Sequence, residues 1–308
     1  MNRDFITVSE LTDDELDVIY EKAVTVTRGN ELHGVGVGLV FEFPSLRTRA
    51  SSVAAVQLLG GRFCMFSGDE VGLDSRESAE DVARTLLATC EVVALRVRDH
   101  GVFARMQAAT DGALRLINLL SNRAHPTQAV ADVLTLADRF SEGDVHRLSG
   151  RSVAYVGDAT NVTHSLAEAL VRLGVEVRVG APQGYQLSDD DVRLINQRAR
   201  DGGVLVQFAD PVAAVNGVDA VYTDSWISMG LEAEAHRRRR DLANFQVNRA
   251  LMQHAAAHAV VLHCLPAHRG EEITDEVLDG PNSLVWEQVR HRTSSMVGVL
   301  QWMKGSTP

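Results

Sequence analysis

Short apolar runs rich in β-branched residues alternate along the chain with longer stretches whose apolar positions recur every three or four residues. The short runs predict strands at Val37–Phe41, Phe63–Phe66, Val92–Val97, Leu114–Asn118, Ser152–Val156, Glu176–Val179, Val204–Phe208, Ala220–Thr223 and Val260–His263. The longer stretches predict helices at Asp13–Thr27, Arg47–Leu59, Ala79–Ala88, Thr127–Phe140, Val162–Leu173, Asp189–Ala199 and Val247–His254. Most of the strands are apolar at nearly every position. A strand solvated on one face alternates, whereas one covered by helices on both faces does not. The pattern therefore predicts an α/β protein: two doubly wound parallel-sheet domains with a cleft between them. The polar stretch Ser141–Arg151, which carries Gly143 and Gly150, is the expected boundary. It gives domains over 1–140 and 150–285. A short strand at Leu284–Val285 is expected next, then a terminal helix at about 287–304 that packs back on the first domain.

Composition narrows the function classes. A chain of 308 residues has room for two full cores. Lys and Arg number 30 against 41 Asp and Glu, a formal charge of −11, which argues against nucleic acid or an anionic membrane as partner. No apolar run approaches the roughly 18 residues of a membrane span. The polar, acidic start does not read as a signal or transit peptide. Three scattered cysteines, Cys64, Cys90 and Cys264, fit a reducing cytoplasm better than a disulfide framework.

In open α/β sheets ligands bind beyond the carboxyl ends of the strands, and five segments there carry chemistry. Glu42–Arg49 (EFPSLRTR) puts hydroxyls, two guanidinium groups and backbone N–H groups at a helix start, which suits phosphate; the plainer reading is a Ser N-cap with two solvated arginines. Ala124–Gln128 (AHPTQ) projects His125 and Gln128 from a helix opened by Pro126; they are equally readable as a capping His and a surface Gln. Tyr155–Asn161 (YVGDATN) is a strand–turn–helix junction without the G-x-G-x-x-G spacing of a dinucleotide site. Thr223–Gly230 (TDSWISMG) offers Asp224 and Ser228 to an amino-acid head group, or is an ordinary Asp-Ser turn. Leu262–Gly270 (LHCLPAHRG) gathers His, Cys and Arg in one short loop, or simply buries a cysteine. His254, His258, His263, Cys264 and His268 lack the spacing of a zinc motif, so no metal is expected. The run Arg237–Arg240, flanked by Glu232, Glu234 and Asp241, reads as a solvated loop.

Taken in order, these segments resemble the aspartate and ornithine carbamoyltransferase family. F-x-x-P-S-x-R-T-R at Phe41–Arg49 and H-P-T-Q at His125–Gln128 match its carbamoyl-phosphate signature. D-x-W-x-S-M-G at Asp224–Gly230 and H-C-L-P-A-H-R-G-E-E at His263–Glu272 match its ornithine branch. The resemblance covers nearly the whole chain. It implies that Ser45, the Leu46 backbone, Arg47, Thr48, Arg96, His125, Gln128, Cys264, Leu265 and Arg292 bind carbamoyl phosphate. It likewise implies that Asn161, Asp224, Ser228 and Met229 hold the amino-acid acceptor, and that Arg96, His125, Cys264 and Asp224 serve catalysis. It further implies transfer of the carbamoyl group to L-ornithine, giving L-citrulline and phosphate as in arginine biosynthesis, without cofactor and in a homotrimer. Another diamino acid or an acylated ornithine as acceptor, or a silent metabolite-binding relative, are the alternatives. Two departures stand out. Leu46 replaces the usual Thr of S-T-R-T-R, and Gly72 stands where the ornithine branch carries Gln.

Overall fold

A computed structural model describes residues 3–26, 28–227 and 231–305. Thr27, the expected end of the first helix, lies outside the described residues, as do Ser228 and Met229. The chain divides into two compact units, one running to Leu134 and resuming at Arg290, the other Thr135–Val289.

The first unit is built on four parallel strands, β1 (Gly36–Phe41), β2 (Arg62–Ser67), β3 (Val92–Arg96) and β4 (Arg115–Leu120), in the order β2-β1-β3-β4. β1 and β3 are buried on both faces, which is why their sequences do not alternate. Around them lie α1 (Asp13–Val24), α2 (Leu46–Leu58), α3 (Gly68–Val71), α4 (Ala79–Leu87), α5 (Gly101–Ala109) and the start of α6 (Pro126–Ser141), which from Thr135 onward belongs to the second unit. The start of α1 is fixed by a capping box, in which Glu15 N donates to Thr12 Oγ1 and Thr12 N donates back to Glu15 Oε2. After β2 the chain crosses to the other side of β1 to form β3. The strand order therefore reverses between β1 and β3, and the crevice beyond their carboxyl ends is where such a sheet takes its ligand.

The second unit has five parallel strands, β5 (Ser152–Val156), β6 (Glu176–Gly180), β7 (Val204–Phe208), β8 (Ala220–Thr223) and β9 (Val260–His263), in the order β7-β6-β5-β8-β9. Its switch point lies between β5 and β8. Its helices are α7 (Asn161–Val171), α8 (Asp189–Asn196), α9 (Pro211–Val215), α10 (Ala235–Leu242), α11 (Arg249–Met252) and α12 (Asp275–Leu278). A last helix, α13 (Val285–Lys304), follows, and from Arg290 onward it belongs to the first unit. There Ser295 Oγ donates to Thr127 O at 2.6 Å and Arg115 Nη1 donates to Met303 O at 3.1 Å. No helix among the described residues is long and apolar enough to cross a membrane.

Three expectations need correction. Leu284–Val285 is not a strand: Ser283 makes an isolated bridge to Val261, too short a pairing to propagate, and Val285 already opens α13. The helix expected at Val247–His254 shortens to α11, because Val247 bridges Ile273 and the Asn248 side chain caps Leu251 N at 3.0 Å. Arg237–Arg240 is not a solvated loop but half of α10, and Arg238 is buried.

Candidate active site

The donor half-site grows from the ends of β1, β3 and β4. Ser45 occupies the N-cap of α2, but its hydroxyl donates to Thr48 Oγ1 at 2.8 Å instead of capping the helix. Among the described contacts, the first-turn N–H groups of α2 are thus not satisfied by the Ser45 side chain, the arrangement in which a helix start receives an anion. Thr48 Oγ1 also accepts from Arg292 Nη2 at 2.6 Å, and Arg292 Nη1 donates to Gln128 Oε1. Gln128 Nε2 in turn donates to Asp132 Oδ1 at 2.7 Å. This chain of bonds orients the Arg292 guanidinium against Thr48 within the first unit.

The plainer reading of Gln128 as a surface residue fails here. His125 is 3% exposed and Gln128 1%, so neither is a surface side chain. His125 is placed by the turn before Pro126: Ser121 N donates to Ala124 O at 2.9 Å, Ala124 N to Ser121 Oγ at 3.3 Å, and Asn118 Nδ2 to Ser121 Oγ at 3.1 Å. Burial, then the charges of Arg292 and Arg96, push the His125 imidazole well below its ordinary pKa. It is therefore a neutral ring beside two guanidinium groups. Arg96 ends β3, and its carbonyl accepts Glu42 N at 2.9 Å while Glu42 Oε2 accepts Arg98 N at 2.7 Å, so the turns after β1 and β3 are tied together. Arg47 is partly exposed beside them, and Leu46 is 77% exposed.

The acceptor half-site grows from the ends of β5, β8 and β9. Gly157 follows β5 with φ +127°, where an added Cβ would come within 3.3 Å of Trp226 Nε1. Asn161 opens α7, its Oδ1 accepting Val162 N at 3.0 Å. Thr223 Oγ1 donates to Val156 O at 2.7 Å, fastening β8 to β5 directly before Asp224. Asp224 Oδ1 accepts the Cys264 thiol at 2.9 Å and Ser225 N at 2.7 Å. Burial raises the Asp224 pKa above the ordinary carboxylate value, partly offset by His263 and by the bonds from Cys264 and Ser225. A carboxylate so placed suits a cationic or proton-sharing amine.

Behind this pair lies a dyad that sequence reasoning included in the motif but gave no role. His263 and Glu272 are both fully buried, with His263 Nε2 3.0 Å from Glu272 Oε1. Leu265 N donates to His263 Nδ1 at 2.8 Å, so Nδ1 is the acceptor and Nε2–H faces Glu272. The dyad fixes the turn that presents Cys264 and Leu265, whose bond to Pro266 is cis. Arg238 was also missed: it donates to Asp158, to Trp226 O at 3.1 Å and to Glu234 Oε2 at 3.1 Å, and lies 5.3 Å from the Tyr185 ring centroid. Asp158 is pushed up by burial, and Arg238 opposes the shift. Asp224, His263 and Cys264 bring a carboxylate, an imidazole and a thiol within 4.8 Å, a donor set a soft divalent cation accepts, but each already has a protein hydrogen-bond partner.

Two parallel-sheet units, one with cations at its switch point and one with a carboxylate and a thiol, define an α/β protein suited to a phosphorylated ligand and an amine. Residues 3–138 match the carbamoyl-P binding domain of the aspartate/ornithine carbamoyltransferases, and residues 149–303 match their Asp/Orn binding domain. The chain belongs to this family. It is 38% identical to an ornithine carbamoyltransferase of Symbiobacterium thermophilum, over 97% of this chain and 96% of that one. It is 37% identical to the anabolic ornithine carbamoyltransferase of Pyrococcus furiosus, over 98% of this chain and 96% of that one. The solved ornithine carbamoyltransferase structure from Pyrococcus furiosus superposes with a TM-score of 0.93 at 36% identity, covering 100% of this chain and 98% of that one.

Proposed function

We propose that the protein transfers the carbamoyl group of carbamoyl phosphate to the side-chain amine of L-ornithine, releasing L-citrulline and phosphate. The observation that carries this reading is the donor half-site, where Thr48, Gln128 and Arg292 are hydrogen-bonded together and a neutral His125 lies in the field of Arg96 and Arg292. Ser45, the Leu46 N–H, Arg47, Thr48, Arg96 and Arg292 hold the phosphate, and His125 and Gln128 hold the carbamoyl group. On the other unit Asn161, Asp224, Ser228 and the Met229 backbone hold the amino-acid head, with Cys264 and the Leu265 carbonyl beside the reacting amine and the carbamoyl NH2.

The neutral amine forms a C–N bond to the carbamoyl carbon, and the carbonyl electron pair moves onto oxygen. Arg96, His125 and the Thr48 hydroxyl stabilise that oxyanion, each good donor contributing about 2.7–4 kcal/mol. Collapse breaks the C–O bond and phosphate leaves with the electron pair, taking up the proton lost by the amine. A neutral imidazole suits this role, because it donates one hydrogen bond without adding a third positive charge beside Arg96 and Arg292. Holding both substrates together supplies much of the remaining acceleration. Assembly as a homotrimer and a cytoplasmic location belong to the same proposal, and light scattering at three times the chain mass tests the former.

The deciding experiment is citrulline formation from carbamoyl phosphate with a panel of diamino acids. Turnover of ornithine well above lysine, 2,4-diaminobutyrate and N-acetylornithine is expected. Preference for one of the others reassigns the acceptor, and no product with any amine ends the reading.

A further inference from the structure

The loops after β8 and β9 are joined by a bond outside the residues that the reaction uses. Ser225 follows Asp224 directly, and His268 lies four residues beyond Cys264. Ser225 Oγ is 3.0 Å from His268 Nδ1. The same oxygen accepts Ile227 N at 3.3 Å and donates to Ile227 O at 3.1 Å. With two bonds received and one given, the hydroxyl's capacity is filled, and His268 Nδ1–H is the donor. On the other side, His268 N donates to Glu272 Oε1 at 2.5 Å, the oxygen that also meets His263 Nε2. Cys264 Sγ donates to Asp224 Oδ1, which also accepts Ser225 N. With the peptide link between His263 and Cys264, these bonds close a ring from Glu272 through His268, Ser225 and Asp224 to Cys264 and His263.

We infer that Ser225 and His268 are positioning residues, a latch that sets the Asp224–Ile227 turn against the Cys264–His268 turn and thereby shapes the acceptor site. Ile227, gripped at both its N–H and its carbonyl by Ser225, immediately precedes Ser228 and Met229. The latch acts on the Asp224 carboxylate and on the turn that carries Cys264 and Leu265, whereas Ser45, Arg47, Thr48, Arg96, His125, Gln128 and Arg292 lie on the other unit. It rests on the proposed reaction and predicts an effect larger on the acceptor than on carbamoyl phosphate, most of whose contacts lie on the first unit.

The test is steady-state kinetics on the full-length enzyme with Ser225→Ala, His268→Ala, Ser225→Thr, His268→Asn and the double alanine variant. Removing one hydrogen bond is expected to raise the KM for ornithine about fivefold, with the KM for carbamoyl phosphate and kcat within about twofold. Ser225→Thr keeps the hydroxyl and His268→Asn keeps an N–H near the Nδ1 position, so both recover most of the affinity. The double alanine variant is expected to lose no more than Ser225→Ala alone, since the bond to His268 is already absent there. Unchanged ornithine KM in both single alanine variants overturns the latch. So does an equal rise for both substrates, or failure of both conservative variants to recover, because those results describe a structural role only. Wild-type turnover is the control: none with ornithine overturns the reaction and the latch with it, whereas normal wild-type turnover with insensitive variants overturns the latch alone.

Discussion

The two half-sites solve different problems with different materials. On the first unit the polar groups are buried around a guanidinium: Thr48, His125, Gln128 and Arg292 are almost fully covered, and Arg292 is held by bonds to two of the others. On the second unit the groups lie on loops, Asp224 is only partly covered, and they are held by a web of side-chain-to-backbone bonds among Ser225, His263, His268 and Glu272. An anion with spread charge is best met by preorganised cations away from water, which act without reorganising. An amino-acid head group needs directional donors and acceptors, which loops supply more readily. Changes on the first unit are therefore expected to strike carbamoyl phosphate and turnover, and changes on the second the acceptor.

The largest effect expected is that of Arg96→Ala. It removes a cation beside His125, and kcat is expected to fall tenfold or more while the melting temperature stays within a few degrees. Near wild-type turnover removes Arg96 from the reaction and breaks the contrast at its strongest point.

Asp224→Asn separates function from stability on the other unit. The folded pKa of Asp224 is raised, so its contribution to stability is fully present below the unfolded value of 3.8 and is lost as pH rises through the folded value. At neutral pH the ionised group is a cost, and Asn retains an Oδ1 that accepts from Cys264 and Ser225. Activity is expected to drop about tenfold or more with a melting temperature equal to or above wild type. A sharp loss of stability at pH 7 contradicts the assignment.

His125 gives a smaller and purely acidic effect. Its folded pKa is depressed, so the stability it contributes is present above the unfolded value of 6.5 and is lost as pH falls from there toward the folded value. Melting curves between pH 7.5 and about pH 5 are expected to be flatter for His125→Gln than for wild type. Parallel curves show that His125 is not buried neutral.

Much of this was legible because each strand carries its own signal. β5, β7, β8 and β9 match the ranges read from the sequence residue for residue, since continuous β-branched runs ended by Gly, Asp or polar turns admit little else. The order of the strands was not legible, because register and crossover depend on contacts far apart in the chain. α10 was misread for the same reason. Four consecutive arginines look solvated, and it takes contacts far off in the chain, such as the bond from Arg238 to Asp158 80 residues away, to make one of them internal. α5 was overlooked because it opens on Gly101 after a His100 whose side chain makes no cap. In the site, residues of conspicuous type stood out, whereas Glu272, His268 and Ser225 are ordinary polar residues until the turns bring them together.

The central claim is that the first unit holds a phosphorylated one-carbon donor on its arginines. Calorimetric titration with phosphonoacetamide, a stable mimic of carbamoyl phosphate, measures this directly on wild type and on Arg47→Ala. Saturable one-site binding to wild type, weakened at least tenfold in the variant, is the outcome expected. No binding to wild type, or equal affinity in both proteins, contradicts it.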